Sequence, residues 1–242
     1  MENKYKLDII AETENWIAVN KPSGLLSIPD RTQSEISLKD MLNKKFGKVW
    51  VVHRLDQPTS GLILFAKNEV THRYLSQLFE ERKVIKYYVG LVHGTPVPDT
   101  GTIDIPTMEH PVKKGTYVTH AKGKSALTDY TTLHTYRQYS WMQFQIHTGR
   151  THQIRVHMKH IGHPIVCDEL YGINSPLLLS SIKGSKFKLS KAEEEERPLL
   201  NRLALHAHIL SFTDEDGKAQ TLEAHVPKDL RAVLQQLEKW GR

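Results

Sequence analysis

One cysteine in 242 residues, Cys167, is too few for an internal disulfide framework or for a thiolate-rich zinc or iron-sulfur site. It suits a reducing compartment. No run of about 18 apolar residues goes without a charge, and the opening MENKYKLDII has no apolar core followed by a small-residue cleavage site, so neither a membrane span nor an export signal is legible. The Gly-x-Gly-x-x-Gly fingerprint, the Gly-Lys-Ser/Thr phosphate loop and the Gly-x-Ser-x-Gly elbow are all missing. Their absence removes the usual signs of nucleotide-cofactor redox chemistry and of serine esterases. Acidic residues are the scarcer sign, 27 against 33 Lys and Arg, and the net charge of +6 suits an anionic partner such as nucleic acid without demanding one.

What is present is enough apolar residue, 39% of the chain, to build a core at this length. Residues 6–29 read as short strands and turns: LDII, a polar AETEN break, WIAV, then the Pro- and Gly-punctuated NKPSGLLSIP. Ser37, with Asp40 three residues on, marks a helix start; Leu38, Met41, Leu42 and Phe46 form its apolar stripe and Gly47 ends it. VWVV and GLILFA are strands by composition, and Asn68 caps a second helix with Tyr74, Leu75, Leu78 and Phe79 on one face. KYYVGLVHG follows as another strand. WMQFQIH alternates as a half-buried strand does, with Met142, Phe144 and Ile146 on one side and Gln143, Gln145 and His147 on the other.

A TGR turn then leads into a helix that Thr151 is expected to cap, with Ile154, Met158 and Ile161 inward and Gly162 past its end. Residues 173–200, with their serines, lysines and the run Glu193 to Glu196, read as an exposed insertion. LALHAHILSF and AQTLEAHV pair through the turn at 214–217, and Leu230, Val233, Leu234, Leu237 and Trp240 line one face of a last helix. Several strands adjoin turns instead of helices. The expected class is therefore α+β, with a mixed, mostly antiparallel sheet.

Two constellations carry chemistry. In HRLDQPTSGLILFAKN, His53, Arg54 and Asp56 crowd ahead of a turn at the mouth of a core strand. Locally, Asp56 reads first as a turn former, and its place at a strand end with Arg54 on the same face, if the backbone is extended, shifts the weight toward a reagent. In and just before GRTHQIRVHMKHIGHPI, five histidines (His147, then His152, His157, His160 and His163) surround a turn and one helix. They are dispersed and lack a carboxylate among them before Asp168, so no metal is expected; His157 reads as a hydrogen-bonded core residue. Arg155 sits at the edge of the buried stripe, either solvated or reaching an anion with its forked head. Tyr87 and Tyr88, adjacent on one strand, must face opposite sides, one toward the core and one available to stack on a nucleobase.

NKPSGLLSIP, HRLDQPTSGLILFAKN, KYYVGLVHG and GRTHQIRVHMKHIGHPIVCDELYG, in that order, resemble the RluA family of pseudouridine synthases, most closely its ribosomal large-subunit synthase A branch. The likeness covers about residues 8–172 and resumes at LALHAHIL. It implies a single catalytic domain over 1–242 with the 173–200 insertion and no S4 domain, and a long, mostly antiparallel sheet with a central RNA-binding cleft. It also implies a cofactor-free isomerisation. Asp56 occupies the position of the attacking aspartate, Arg155 that of the arginine paired with it, Tyr88 that of the tyrosine near the flipped base and Arg54 that of the arginine filling the vacated space. His53 and Arg150 are taken as further substrate contacts. The implied partner is RNA, a 23S rRNA stem-loop or a tRNA anticodon loop, acted on by a cytoplasmic monomer with no membrane association and no obligate protein partner. An RNA-binding protein without catalysis, and a glycoside hydrolase, are the competing classes; the latter needs a second carboxylate opposite the first, which is not evident near Asp56.

Overall fold

A computed structural model gives the structure of residues 5–30, 32, 35–189 and 195–241. Along the chain it contains β1 (Ile9–Glu12), β2 (Trp16–Lys21), α1 (Leu38–Phe46), β3 (Trp50–Val51), β4 (Ser60–Ala66), α2 (Glu69–Glu80), β5 (Ile85–His93), β6 (Thr100–Asp104), β7 (Thr107–Glu109), β8 (Tyr117–Thr119), β9 (Leu127–Thr135), β10 (Tyr139–Ile146), α3 (Gln153–His160), α4 (Leu179–Lys183), β11 (Leu205–Thr213), β12 (Ala219–Glu223) and α5 (Lys228–Trp240). The class is α+β. β1–β2, β2–β4, β6–β9, β9–β10 and β11–β12 pair antiparallel, whereas β4 and β11 run parallel, so the sheet is mixed and mostly antiparallel. Two compact units divide the chain: Met1–Tyr88 with His206–His225, and Val89–Leu205 with Val226–Arg242.

In the first unit the strand order is β1-β2-β4-β11, with β3 also on β4 and β12 on β11. β4 is buried at every residue. It reads as an apolar run and not as an alternation because both of its faces are covered. Leu62 and Leu64 pack with Leu75 and Leu78 of α2, while Ile63 and Phe65 pack with Leu38, Met41 and Leu42 of α1. Each such side chain contributes about 1.5–3 kcal/mol by leaving water. The two helices start as their residues dictate: the Ser37 hydroxyl accepts from the Asp40 amide while the Asp40 carboxylate accepts from the Ser37 amide, and Asn68 accepts from Thr71. Gly61 sits where β11 approaches β4. Its φ is +114°, and a Cβ there would collide with the carbonyl oxygen of Ala207.

The second unit has the order β5-β10-β9-β6 and a separate β7–β8 hairpin. β10 keeps the alternation expected of it, with Met142, Phe144 and Ile146 buried. α3 differs from its expected form. It is buried all round from Gln153 to Met158, its N-cap is His152 at φ 57° with no side-chain capping bond, and Thr151 does not cap it. Ile161, expected inward, ends the helix half-buried. Residues 173–200 are not uniformly exposed either: Leu177 and Leu200 bridge to each other and are buried together with Ile182 of α4. Glu193 and Glu194 of the glutamate run, and residues 1–4, lie outside the described residues.

Candidate active site

Lys21 ends β2 as a fully buried cation. Its ammonium donates to the carbonyls of Pro22 at 3.1 Å, Leu25 at 2.7 Å and Gln57 at 3.0 Å, matching three N–H donors to three acceptors. Ser23 Oγ donates to Pro58 O at 2.7 Å. Ser27 makes a reciprocal pair with Leu55, its hydroxyl donating to the Leu55 carbonyl at 2.8 Å and accepting from the Leu55 amide at 3.1 Å. These bonds tie the NKPSGLLS loop to residues 55–58, so the segment around Asp56 is held although it belongs to no helix or strand.

Within that segment Leu55 is buried in the core, Arg54 is exposed and Asp56 is half-buried. The Asp56 carbonyl accepts from Thr59 at 3.1 Å, closing the Gln-Pro turn. Asp56 is therefore a turn former through its backbone while its side chain stands apart from that bond. Tyr88 of β5 packs against the cluster that contains Leu55. Burial, and then the negative charge of Asp56, push its phenol well above the ordinary value, so the hydroxyl stays protonated beside the carboxylate.

His53 is placed differently from expectation. Its Nε2 accepts from the Leu64 amide at 3.0 Å and its ring stacks on Phe79 with centroids 4.5 Å apart and planes at 19°. Burial and the nearby Lys86 ammonium lower its pKa to about 3. In that setting it is a neutral imidazole bonded to the backbone of β4.

In the second unit, Gln153 organises the turn before α3. Its Oε1 accepts from the Arg150 amide at 3.0 Å and from Thr148 Oγ1 at 2.7 Å, while its Nε2 donates to Leu127 O and to Thr128 Oγ1. Arg150 Nε donates to Ser125 O at 2.9 Å. Arg155, only 2% exposed, is not a solvated helix arginine. Its Nε and one terminal nitrogen donate to the two carboxylate oxygens of Asp168 at 2.7 and 2.8 Å, a bidentate fork between two buried charges. Asp168 also accepts from the amides of Leu170 and Tyr171, and the guanidinium lies 4.9 Å from the centre of the Tyr171 ring. The Tyr171 hydroxyl in turn bonds His152 Nδ1 and the Tyr117 amide.

The six residues singled out in the sequence thus fall into two groups: His53, Arg54, Asp56 and Tyr88 in the first unit, Arg150 and Arg155 in the second. Lys21, Ser27, Gln153 and Tyr171 were not foreseen. A buried lysine and a clamping serine leave no mark in periodicity, because the bonds that give them their role here, to Gln57 and to Leu55, reach tens of residues along the chain. The histidines of the second constellation are engaged one by one: His147 with Asp129, His157 with Thr128 and Ile105, His160 with Thr119, His163 with His93. Among the described residues no three His, Cys, Asp or Glu side chains converge as a metal site requires. No helix of the described residues is long and apolar enough to cross a membrane.

Residues 15–160 match the family model described as RNA pseudouridylate synthase. The chain is 38% identical over 212 residues to the dual-specificity RNA pseudouridine synthase RluA of Vibrio vulnificus, covering 85% of this chain and 77% of that protein. It is 31% identical over 240 residues to the ribosomal large subunit pseudouridine synthase D of Buchnera aphidicola, covering 96% and 74%. Among solved structures, human RNA pseudouridylate synthase domain containing 4 superposes with a TM-score of 0.75 at 25% identity, over 96% of this chain and 93% of that one.

Proposed function

The chain belongs to the RNA pseudouridylate synthase family, and from that premise we propose that it isomerises one uridine of a folded RNA with Asp56 as the nucleophile. The enzyme is an RNA pseudouridine synthase. In the reaction the N1–C1′ bond of the nucleoside breaks, the uracil rotates, C5 bonds to C1′, and the hydrogen lost from C5 is balanced by one gained at N1. Atoms and electrons are conserved, so the chemistry calls for no oxidant, reductant or co-reactant.

The observation that supports Asp56 best is its setting: a carboxylate on a segment fixed by side-chain hydrogen bonds, beside a tyrosine kept protonated by burial and by that carboxylate's own charge. A fixed nucleophile lowers the entropic part of the barrier. Tyr88 offers a ring edge to the uracil and a hydroxyl that donates and does not ionise. Arg54, exposed two residues away, enters the gap left by the extracted base and offsets part of the few kcal/mol that unstacking costs. Arg155, held in its bidentate fork by Asp168, is the second catalytic residue that the resemblance names, and Arg150 meets the RNA backbone. The substrate is a stem-loop of large-subunit ribosomal RNA, a tRNA anticodon loop, or both, reached in the cytoplasm by a single-domain monomer.

Asp56→Asn tests the reading. With RNA carrying tritium at uridine C5, release of label should disappear while affinity for the RNA and the melting temperature stay close to wild type, since the amide is nearly isosteric but not nucleophilic. Residual turnover within about tenfold of wild type, or about 1.4 kcal/mol, removes Asp56 from its role.

A further inference from the structure

β4 has two edges and only one of them is fully paired. β2 covers Gly61 to Ala66 along one side. On the other, β11 reaches only Ser60 and Gly61, and β3 only Phe65 and Ala66. Between them the chain has left β3 at Val51, and the Leu64 amide would face the interior with no carbonyl to accept from. His53 Nε2 occupies that place at 3.0 Å. We propose that His53 is a positioning residue for catalysis: its imidazole replaces the missing strand carbonyl and so fixes the point from which residues 54–56 are aimed.

Three features support this. The bond requires an unprotonated Nε2, and the surroundings keep it so: the ring is stacked on Phe79, with the Lys86 ammonium near that same aromatic ring, and the pKa falls to about 3. A neutral ring with its proton on Nδ1 is a backbone acceptor at every pH at which the protein works. The next anchor along the chain is the reciprocal Ser27–Leu55 pair, followed by Lys21 on Gln57. Arg54 and Asp56 are therefore the two residues of 53–57 that none of these anchors grips, each flanked on both sides by ones that are gripped. Finally, a unit held at both ends converts a small loss of anchoring into a displacement of Asp56, and about 1 Å of displacement is enough to cost roughly 100-fold in rate.

The inference rests on the reading of Asp56 as the nucleophile, and the experiment separates the two. His53→Ala, which removes the acceptor, and His53→Gln, whose side-chain oxygen can accept from the Leu64 amide, are compared with wild type and Asp56→Asn. Single-turnover tritium release is measured at saturating stem-loop RNA, with RNA affinity and melting temperature alongside. His53→Ala should lose about 30-fold or more in rate with affinity within about threefold, and His53→Gln should regain most of the loss. In 15N-histidine NMR spectra, with the His53 signals assigned by their loss in His53→Gln, the wild type should show an unprotonated Nε2 and a protonated Nδ1 down to pH 5. If His53→Ala weakens RNA binding tenfold with an unchanged saturated rate, His53 is a substrate contact and the inference falls. It falls also if the two variants, equally folded, lose rate equally, or if the ring is an imidazolium at pH 5. The NMR signature does not depend on turnover, so it carries the test if His53→Ala fails to fold. An active Asp56→Asn would overturn the functional reading and leave that signature untouched.

Discussion

The two groups of candidate residues are built in opposite ways. Residues 53–59 of the first unit belong to no regular element and are held by side chains: two serines and a lysine bond their backbone, and the imidazole of His53 bonds the backbone of β4. Arg155 of the second unit rides on a helix, but one buried on all sides, where the side chain itself is gripped by a carboxylate. In the first case polar side chains fix a loop; in the second a loop, 165–171, supplies the carboxylate that fixes a polar side chain. The difference teaches where each group is fragile. Loss of one loop anchor leaves the others to preserve the fold while it shifts the aim of Asp56, whereas loss of either member of the buried ion pair removes a compensating charge from the core.

Asp168→Asn should therefore have the largest effect on stability, about 3–5 kcal/mol in urea unfolding, because it strands a buried guanidinium. A loss below 1 kcal/mol would show the pair is not as isolated from water as its burial implies, and the contrast between the groups would fail. Arg155→Lys comes next. The ammonium keeps the charge but cannot reproduce the fork on both Asp168 oxygens, and turnover should fall about 100-fold, or some 2.7 kcal/mol. Normal turnover would reduce Arg155 to a structural residue. Arg54→Ala should cost about tenfold in single-turnover rate on a structured stem-loop and much less on a short unpaired oligonucleotide with the same uridine, for which little unstacking is needed. Equal losses on both would place Arg54 in general binding or in the chemistry.

A further effect is in the pH dependence of stability. His53, His93 and His157 all have pKa values lowered by burial. Between their folded values and the ordinary 6.5 the unfolded chain binds protons that the native state refuses, so stability is complete above about pH 6.5 and falls as pH drops toward the folded values, about 3 for His53. Unfolding by urea at pH 7, 6, 5 and 4.5 should show this decline, and His53→Gln should flatten part of it. An unchanged slope in the variant would mean that His53 titrates normally in the native protein.

Much of this was open to reading in the order of residues. Ser37 with Asp40, Asn68 before Glu69, and Gly162 past α3 act within four residues of themselves, and a cap is a local bond. The alternation of β10 and the apolar run of β4 record which faces are covered, which is a property of each strand taken singly. The ordered motifs placed Asp56 in a family. What failed was whatever depends on a distant partner. α3 reads as amphipathic only if one side meets water, and Thr151 reads as a cap only if the chain enters the helix with ordinary backbone angles; the left-handed His152, bonded through its ring to Tyr171, makes it enter otherwise.

By itself, then, the sequence determined the class of fold, the helix starts, the buried strands and the carboxylate proposed as the nucleophile, because each is written in residues near one another or in a motif long enough to be specific. The tertiary structure decided which polar side chains are reagents and which are fasteners. His53 and Arg54 are neighbours with the same apparent credentials. One meets a strand edge that lacks a carbonyl acceptor and is held neutral by burial; the other faces solvent. That distinction is set by the dielectric and by the amide of Leu64, eleven residues along the chain, which the imidazole meets in place of a strand carbonyl, and no local pattern contains it.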